Sequence, residues 1–329
     1  MFLSGLGTYL TSVFPSTHAM NKREVFILSK QSNSAMSRAL VRRETISGYC
    51  FMLPSLIFFI GFVVIPMVLC IFTSLTDANM NSSGGFVGLA NFAALWSDNT
   101  FKEALVNTFI IVIVSVPTVC IFSLWAASAI YRMHGALLSA FRCIFYLPVV
   151  TGSVAVTVVW KWMFDNYTGI FNYVLHGTGL IEKNINWLGD PKTALWCIIL
   201  ILFTTSVGQP IVLYVSALGN VDTTLIEAAQ VDGATDMQVF WKVKWAQMMP
   251  TTLYILVITT INSFQCFALI QLLTSGGSGT NTVMYYIYYT AFKLTEKAGH
   301  FGYANAMGVV LAIFIGLLSA LQFKLAKEK

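Results

Sequence analysis

Six stretches of this chain contain no Asp, Glu, Lys or Arg: residues 45–76, 104–131, 143–160, 193–221, 245–292 and 298–323. About 20 apolar residues in a row are enough to cross the hydrocarbon core of a bilayer as a helix. In water, runs of this kind need polar surface elsewhere to cover them, and the chain has none to give. Only 10% of its 329 residues are charged and 57% are apolar, against about 25% and 45–50% in a soluble domain. That balance excludes an ordinary cytosolic enzyme, a disulfide scaffold, a disordered segment and a nucleic-acid binder. Alternating ten-residue strands, the mark of a membrane β-barrel, are absent. The chain reads as an all-α integral membrane protein.

The runs place six spans near residues 50–74, 105–130, 143–161, 195–218, 251–273 and 303–323. The fifth run is too long for one helix, and Ser275-Gly276-Gly277-Ser278-Gly279 breaks it. With an even number of spans both termini share one side. That side collects thirteen of the Lys and Arg residues: six in the N-terminal segment, Arg132, Arg142, Lys242, Lys244, Lys324, Lys327 and Lys329. The other side collects six: Lys102, Lys161, Lys183, Lys192, Lys293 and Lys297. The positive-inside rule predicts both termini in the cytoplasm, with loops 75–104, 162–194 and 274–302 outside. Residues 1–20 have no basic start and do not read as a cleaved signal peptide. Residues 1–48 read as a cytoplasmic tail, 49–325 as the six-span domain and 326–329 as a short cytoplasmic end.

All fourteen carboxylates lie outside the six spans. Ionisable groups at membrane depth usually mark proton or ion pathways, so a proton-coupled carrier is disfavoured. The six cysteines form no C-x-x-C pair and no cluster with His, and no metal site is expected. No span carries a His pair fit to ligate haem. Polar groups inside the spans are neutral and include Gln209, Tyr214, Thr259, Asn262, Ser263 and Gln265. On the fifth helix, Thr259, Asn262, Ser263 and Cys266 share one face of roughly 100°, with Gln265 outside it. Such a face serves equally well as a hydrogen-bonded seam between helices or as the lining of a solute path.

The segment 219–249 is more specified than an ordinary connector. Asp222 suits an N-cap, and Gly233 suits the left-handed residue that ends the helix. Thr235-x-x-Gln238 has the form of a capping box opening a second helix toward Pro250 and the fifth span. The prediction is a helix–turn–helix at the cytoplasmic face, kept slim by Ala228, Ala229 and Ala234.

These residues carry a resemblance. Glu227-Ala228-Ala229-x-x-Asp232-Gly233-Ala234, in the last large cytoplasmic loop, is similar to the E-A-A loop of bacterial ABC importer permeases. With Phe240, Trp241, Lys242 and Pro250 downstream it resembles the carbohydrate-uptake subgroup of maltose, glycerol-phosphate and oligosaccharide permeases. The similarity continues at residues 267–277 (Phe-Ala-Leu-Ile-Gln-Leu-Leu-Thr-Ser-Gly-Gly), in Pro54-Ser55-Leu56, Tyr146-Leu147-Pro148 and Trp160-Lys161-Trp162, and covers about residues 48–325. Two features depart from the subgroup. Ser278 stands where Pro usually follows Gly-Gly, and the large periplasmic insertion of maltose-type large subunits is missing.

The resemblance implies a type I importer permease in the bacterial inner membrane. Its partners would be a second homologous permease, two cytoplasmic ATPases and an extracytoplasmic solute-binding protein. The solute would be a sugar or oligosaccharide, moved by alternating access. Glu227, Ala228, Ala229, Asp232, Gly233 and Ala234 would couple to an ATPase. Aligned positions on the solute path would include Thr204, Thr259, Ser263 and Cys266, with Gln209, Tyr214, Asn262 and Gln265 as further candidates. Nothing resembles G-x-x-x-x-G-K-[ST], so ATP and Mg would bind the partner ATPases and this chain would hold no cofactor and be no enzyme. An ion-gradient-driven carrier of a neutral polar solute is the alternative compatible with six spans.

Overall fold

The computed structural model describes residues 22–133, 135–292 and 299–327. Among these, helices form nearly all the regular structure, and the only β pairings are isolated bridges, Thr76 with Phe86 and Asn79 with Ser82. The expected signal-peptide test and three of the cations counted above (Lys293, Lys297 and Lys329) lie outside the described residues. The chain divides into two compact units at Val68 and Leu69.

The first unit is a helix, α1 (Lys22–Phe59), followed by a π-helical turn over Ile60–Val64. Part of the expected tail therefore continues the first span as helix. The π turn has a local cause. Pro66 has no N–H to offer the carbonyl four residues back, and its ring crowds that carbonyl. The backbone widens before it, so that the Ile65 N–H reaches Ile60 O. Helix α2 (Ile65–Ser74) completes a run, Val41–Ser74, long and apolar enough to cross a membrane.

The second unit is built around α4 (Asn99–Ile130), preceded by the short α3 (Ala90–Ser97). Asp98 starts α4. One carboxylate oxygen accepts the N–H groups of Thr100 and Phe101 at 2.8 and 3.1 Å, and the other accepts the Tyr286 and Tyr303 hydroxyls at 2.8 and 2.7 Å. Its buried residues Ala104, Ile111, Val119 and Ala127 are fully enclosed. Helix α4 contributes to all three apolar clusters of the unit. Small residues along it let neighbours approach closely, which is how helices pack where lipid removes the hydrophobic drive.

The expected third span is bent. Helices α5 (Ala136–Thr151) and α6 (Ser153–Met163) meet at 97°. The corner is Gly152, at φ 87° and ψ 138°, a conformation open to glycine and closed to other residues. The next segment carries the short α7 (Ile170–Gly177). The fourth span is also bent, by 41°, between α8 (Ala194–Ser206) and α9 (Gly208–Gly219). Pro210 cannot bond the Ser206 carbonyl, which loosens the helix there. Helix α5 packs on α9 and α6 on another neighbour, described next.

Helix α10 (Thr223–Val231) and the single turn α11 (Asp236–Gln238) occupy the segment expected to hold the helix–turn–helix. A π turn over Val239–Lys244 then leads into α12 (Trp245–Phe264). The fifth span therefore begins well before residue 251, with Pro250 inside the helix rather than at its start. It breaks at residues 265–267 and resumes as α13 (Ala268–Leu273), against which α6 packs. The expected outer loop 274–302 contains a further helix, α14 (Val283–Phe292), ten residues long and too short to cross a membrane. Asn107 fastens the glycine-rich turn before it, donating to Gly279 O and Asn281 O at 3.0 and 2.9 Å. Helix α15 (Phe301–Lys327) is the last. Among the described residues, four helical runs are long and apolar enough to cross a membrane, and the number is six when each bent pair counts as one span.

Candidate functional site

Two places gather the residues singled out above: the elbow at 219–249 and a cleft between α5, α8, α9 and α12.

The elbow is held by local backbone chemistry. Asp222 caps α10, accepting the Thr224 N–H at 2.8 Å and the Thr224 hydroxyl at 2.7 Å. These two bonds hold its carboxyl below the usual carboxylate range. At the other end Gly233 turns left-handed, φ +80°. The Ala234 N–H then reaches back to Ala229 O at 2.9 Å, and the Gly233 N–H to Gln230 O at 3.0 Å. That pair of bonds is the Schellman closure, with Ala229 and Ala234 as the small apolar contact beneath it. Thr235 opens α11 through a reciprocal box: its N–H donates to Gln238 Oε1 at 2.8 Å, and its hydroxyl accepts the Gln238 N–H at 3.4 Å.

The elbow sits on the helices through its apolar side. Val221 and Val239 are buried, and Ile226, Phe240 and Trp245 pack on the cluster shared by α4, α9 and α12. Gln247 of α12 accepts the Asp222 N–H at 3.1 Å. Glu227, Ala228, Asp232 and Gly233 are exposed, while Ala229 and Ala234 are half-buried. The six E-A-A positions thus divide into an outward set and a set that closes the turn.

The cleft has a volume of about 160 Å³. Its walls are Val149 from α5, Thr205 and Ser206 from α8, Gln209, Pro210 and Leu213 from α9, and Tyr254, Ile258, Thr259 and Asn262 with Ile255 from α12. Gly208 makes this meeting possible. A Cβ there would lie 2.3 Å from Phe145 O, so only glycine lets α9 approach the α5 backbone. No charged side chain is on the lining.

Of the eight candidate path residues, the structure brings Gln209, Thr259 and Asn262 to this cleft. The others are placed elsewhere. Thr204 returns its hydroxyl to Ile201 O at 2.8 Å in its own helix. Ser263 is buried and meets Ser115 of α4, Oγ to Oγ, at 2.9 Å. Tyr214 is buried among Ile211, Val215 and Met248. Cys266 is buried beside Leu269 and Ile270, and Gln265 is exposed where α12 ends. The sequence reading missed Thr205, Ser206 and Tyr254. Tyr254 had a signal, since Tyr254, Ile258 and Asn262 repeat at four-residue steps along one face. No group of three His, Cys, Asp or Glu residues fit to hold a metal occurs among the described residues.

Known proteins fit this architecture. Residues 86–327 match the family described as binding-protein-dependent transport system inner membrane component. The probable ABC transporter permease protein YesP of Bacillus subtilis is 32% identical over 86% of this chain and 91% of its own length. The lactose transport system permease protein LacF of Rhizobium radiobacter is 30% identical over 88% and 97%. A crystal structure of a bacterial ABC transporter that imports the acidic polysaccharide alginate superposes with a TM-score of 0.73 at 21% identity, covering 89% of this chain and 99% of that one. The match over most of the length, in sequence and in fold, makes this chain a member of the inner membrane component family of binding-protein-dependent transport systems.

Proposed function

We propose that this ABC importer permease works as one of two homologous membrane subunits, driven by two cytoplasmic ATPases and supplied with a saccharide by an external binding protein. ATP and Mg belong to the ATPases in this reading, and both termini and the elbow lie on the cytoplasmic side. The observation that carries it is the elbow's construction. A capped helix, a Schellman closure and a second capped turn fix the direction of α10, while its outward residues Glu227, Ala228 and Asp232 remain free to meet a partner. An element so rigid, seated on α4, α9 and α12 together, passes a push on its tip to the bundle as rigid-body motion.

The solute reading rests on the cleft. Amides and hydroxyls from Gln209, Thr205, Ser206 and Asn262, with the face of Tyr254, are the groups that recognise sugar hydroxyls. LacF is a permease for lactose, in keeping with a neutral saccharide here.

The test reconstitutes the chain with its ATPases and binding protein and measures sugar uptake and ATP hydrolysis together. Glu227→Lys and Gly233→Pro should leave ATP hydrolysis uncoupled from uptake. Normal coupling in both variants would refute the elbow's role. Uptake that stops when ion gradients are collapsed at constant ATP would favour a secondary carrier instead.

A further inference from the structure

A groove unrelated to the cleft runs beside α4. Its wider section, about 600 Å³, lies between Leu124 and Trp125 of α4 and Met237, Phe240, Trp241 and Trp245 of the elbow's second arm. A narrower section, about 320 Å³, shares Ile121, Leu124 and Trp245 and continues past Thr252 to Leu256. On α12 the narrow part occupies a face about 140° away from the cleft residues. Apart from Ser128 and Asp236, the wide section is walled by apolar side chains. Trp125 and Trp241 are 65% and 52% exposed there.

The dimensions and the chemistry of the two ends point to one occupant. From Trp245 to Leu256 the helix rises about 16 Å, half of the roughly 30 Å hydrocarbon core, so the groove spans one leaflet. Three tryptophans gather at one end, the position tryptophan takes at a membrane–water boundary. Two cations adjoin the lining in sequence, Lys244 just before Trp245 and Arg132 one turn beyond Ser128. Lys244 donates to the Tyr131 hydroxyl at 3.0 Å and lies over its ring, and Arg132 follows Tyr131 in the chain. Burial pushes the Tyr131 hydroxyl up, yet hydrogen bonds and charge from Lys244 and Arg132 outweigh it and hold the group below its ordinary range. Neither cation pairs with a carboxylate among the described residues. Asp236, on the lining, sits in the first turn of α11, where the helix N-terminus already balances its charge.

We infer that this groove holds a phospholipid, one acyl chain lying between α4 and α12 along the stretch from Trp245 to Leu256 and the phosphate resting on Lys244 and Arg132. A protein partner would not need cations at one end of a leaflet-long apolar slot, whereas a diacyl phospholipid matches both parts. The inference stands apart from the transport reading, because it concerns retention of lipid and not uptake.

Native mass spectrometry of the full-length chain, with whatever subunits purify with it, tests this directly. The detergent-solubilised protein is titrated with phosphatidylglycerol, phosphatidylethanolamine and a phosphate-free diacylglycerol of the same chains. Wild type should retain a phospholipid in preference to diacylglycerol by about fivefold for each cation, the effect of one basic residue at a membrane surface. Leu124→Trp, which fills the groove, should lose the lipid, while Ile113→Trp, an equal enlargement on the exposed face of the same helix, should keep it. Lys244→Gln should keep a diacyl lipid and lose about fivefold of the preference for phosphate, with the share due to Arg132 remaining. Full retention by Leu124→Trp, equal binding of diacylglycerol by wild type, or crosslinking of Leu124→Cys to a protein subunit in place of lipid would each overturn the inference.

Discussion

Gln247, on the membrane helix α12, accepts the backbone N–H of Asp222, the residue that caps α10, at 3.1 Å. The cap and the anchor thus converge on one residue, whose carboxylate orders the elbow helix and whose amide ties that helix to the bundle.

Gln247→Leu separates these two jobs. The freed amide is exposed and finds water, so stability should change by less than about 1 kcal/mol. Force transmission should suffer more. In the reconstituted importer, sugar molecules moved per ATP should fall while ATP hydrolysis persists. An unchanged ratio would show that the tie does not transmit motion.

Gly233 offers a graded test of the turn. A Cβ there meets nothing within 4 Å, so a substitution is opposed only by the backbone at φ +80°. Asn tolerates that conformation best among side chains, Ala pays about 1–2 kcal/mol, and a β-branched residue pays more. Coupling should therefore decline in the order Gly, Asn, Ala, Val, with hydrogen exchange at Gly233 and Ala234 rising in the same order. A flat series would mean that the Schellman closure is dispensable.

The elbow's caps and turn could be read from sequence because each of their bonds links residues within five positions, whereas the tie to Gln247 spans 25. Asp222, Gly233 and the Thr235–Gln238 pair state their geometry locally. The bends could not. Gly152 and Gly208 lie inside apolar runs that read as straight spans, and the need for glycine at position 208 arises from the Phe145 carbonyl, far away in the chain. Helix α14 escaped notice because ten residues fall short of a span. The candidate path residues separate for a related reason: Asn262 and Ser263 are neighbours on one arc, but Ser115, 148 positions away, engages Ser263, while Asn262 lines the cleft.

That division predicts opposite phenotypes. Asn262→Ala and Gln209→Ala should raise the KM for sugar uptake by roughly five- to tenfold, the loss of about one hydrogen bond each, with little change in thermal stability. Ser263→Ala should lower stability by about 1 kcal/mol, leaving Ser115 with its bond to Ile111 O at 2.6 Å, and should leave KM alone. A KM effect confined to Ser263 would move the path off the cleft.

Gly208→Ala addresses how the cleft is formed. The clash is with a backbone oxygen, which no rotamer change relieves. A penalty of about 1–3 kcal/mol should follow as α9 is pushed from α5. Because Val149 and Gln209 line the cleft from those helices, KM should rise along with the loss of stability. No substitution at Phe145 should rescue it, since the obstacle is main chain. Rescue by Phe145→Ala would show that the side chain, not the carbonyl, is the neighbour that matters.

Asp98 supplies a pH dependence whose sign follows from its bonds. Burial raises its carboxyl, but the Tyr303 and Tyr286 hydroxyls and the N–H groups of Phe101 and Thr100 outweigh burial and bring it below the ordinary range. A carboxylate depressed in the folded state stabilises the fold above its unfolded value, about 3.9, and loses that contribution as pH falls through the lower folded value. The purified protein should therefore show no Asp98-dependent change in melting between about pH 5 and 8, and a decline below about pH 4. Asp98→Asn keeps a capping oxygen and offers its amide to the phenols, so it should cost less than Asp98→Ala, where loss of the cap and of two phenol partners should total roughly 2 kcal/mol. Both variants should lose the part of the acid-induced decline that Asp98 causes. An acid profile in Asp98→Asn that matches wild type would assign the decline to other carboxylates.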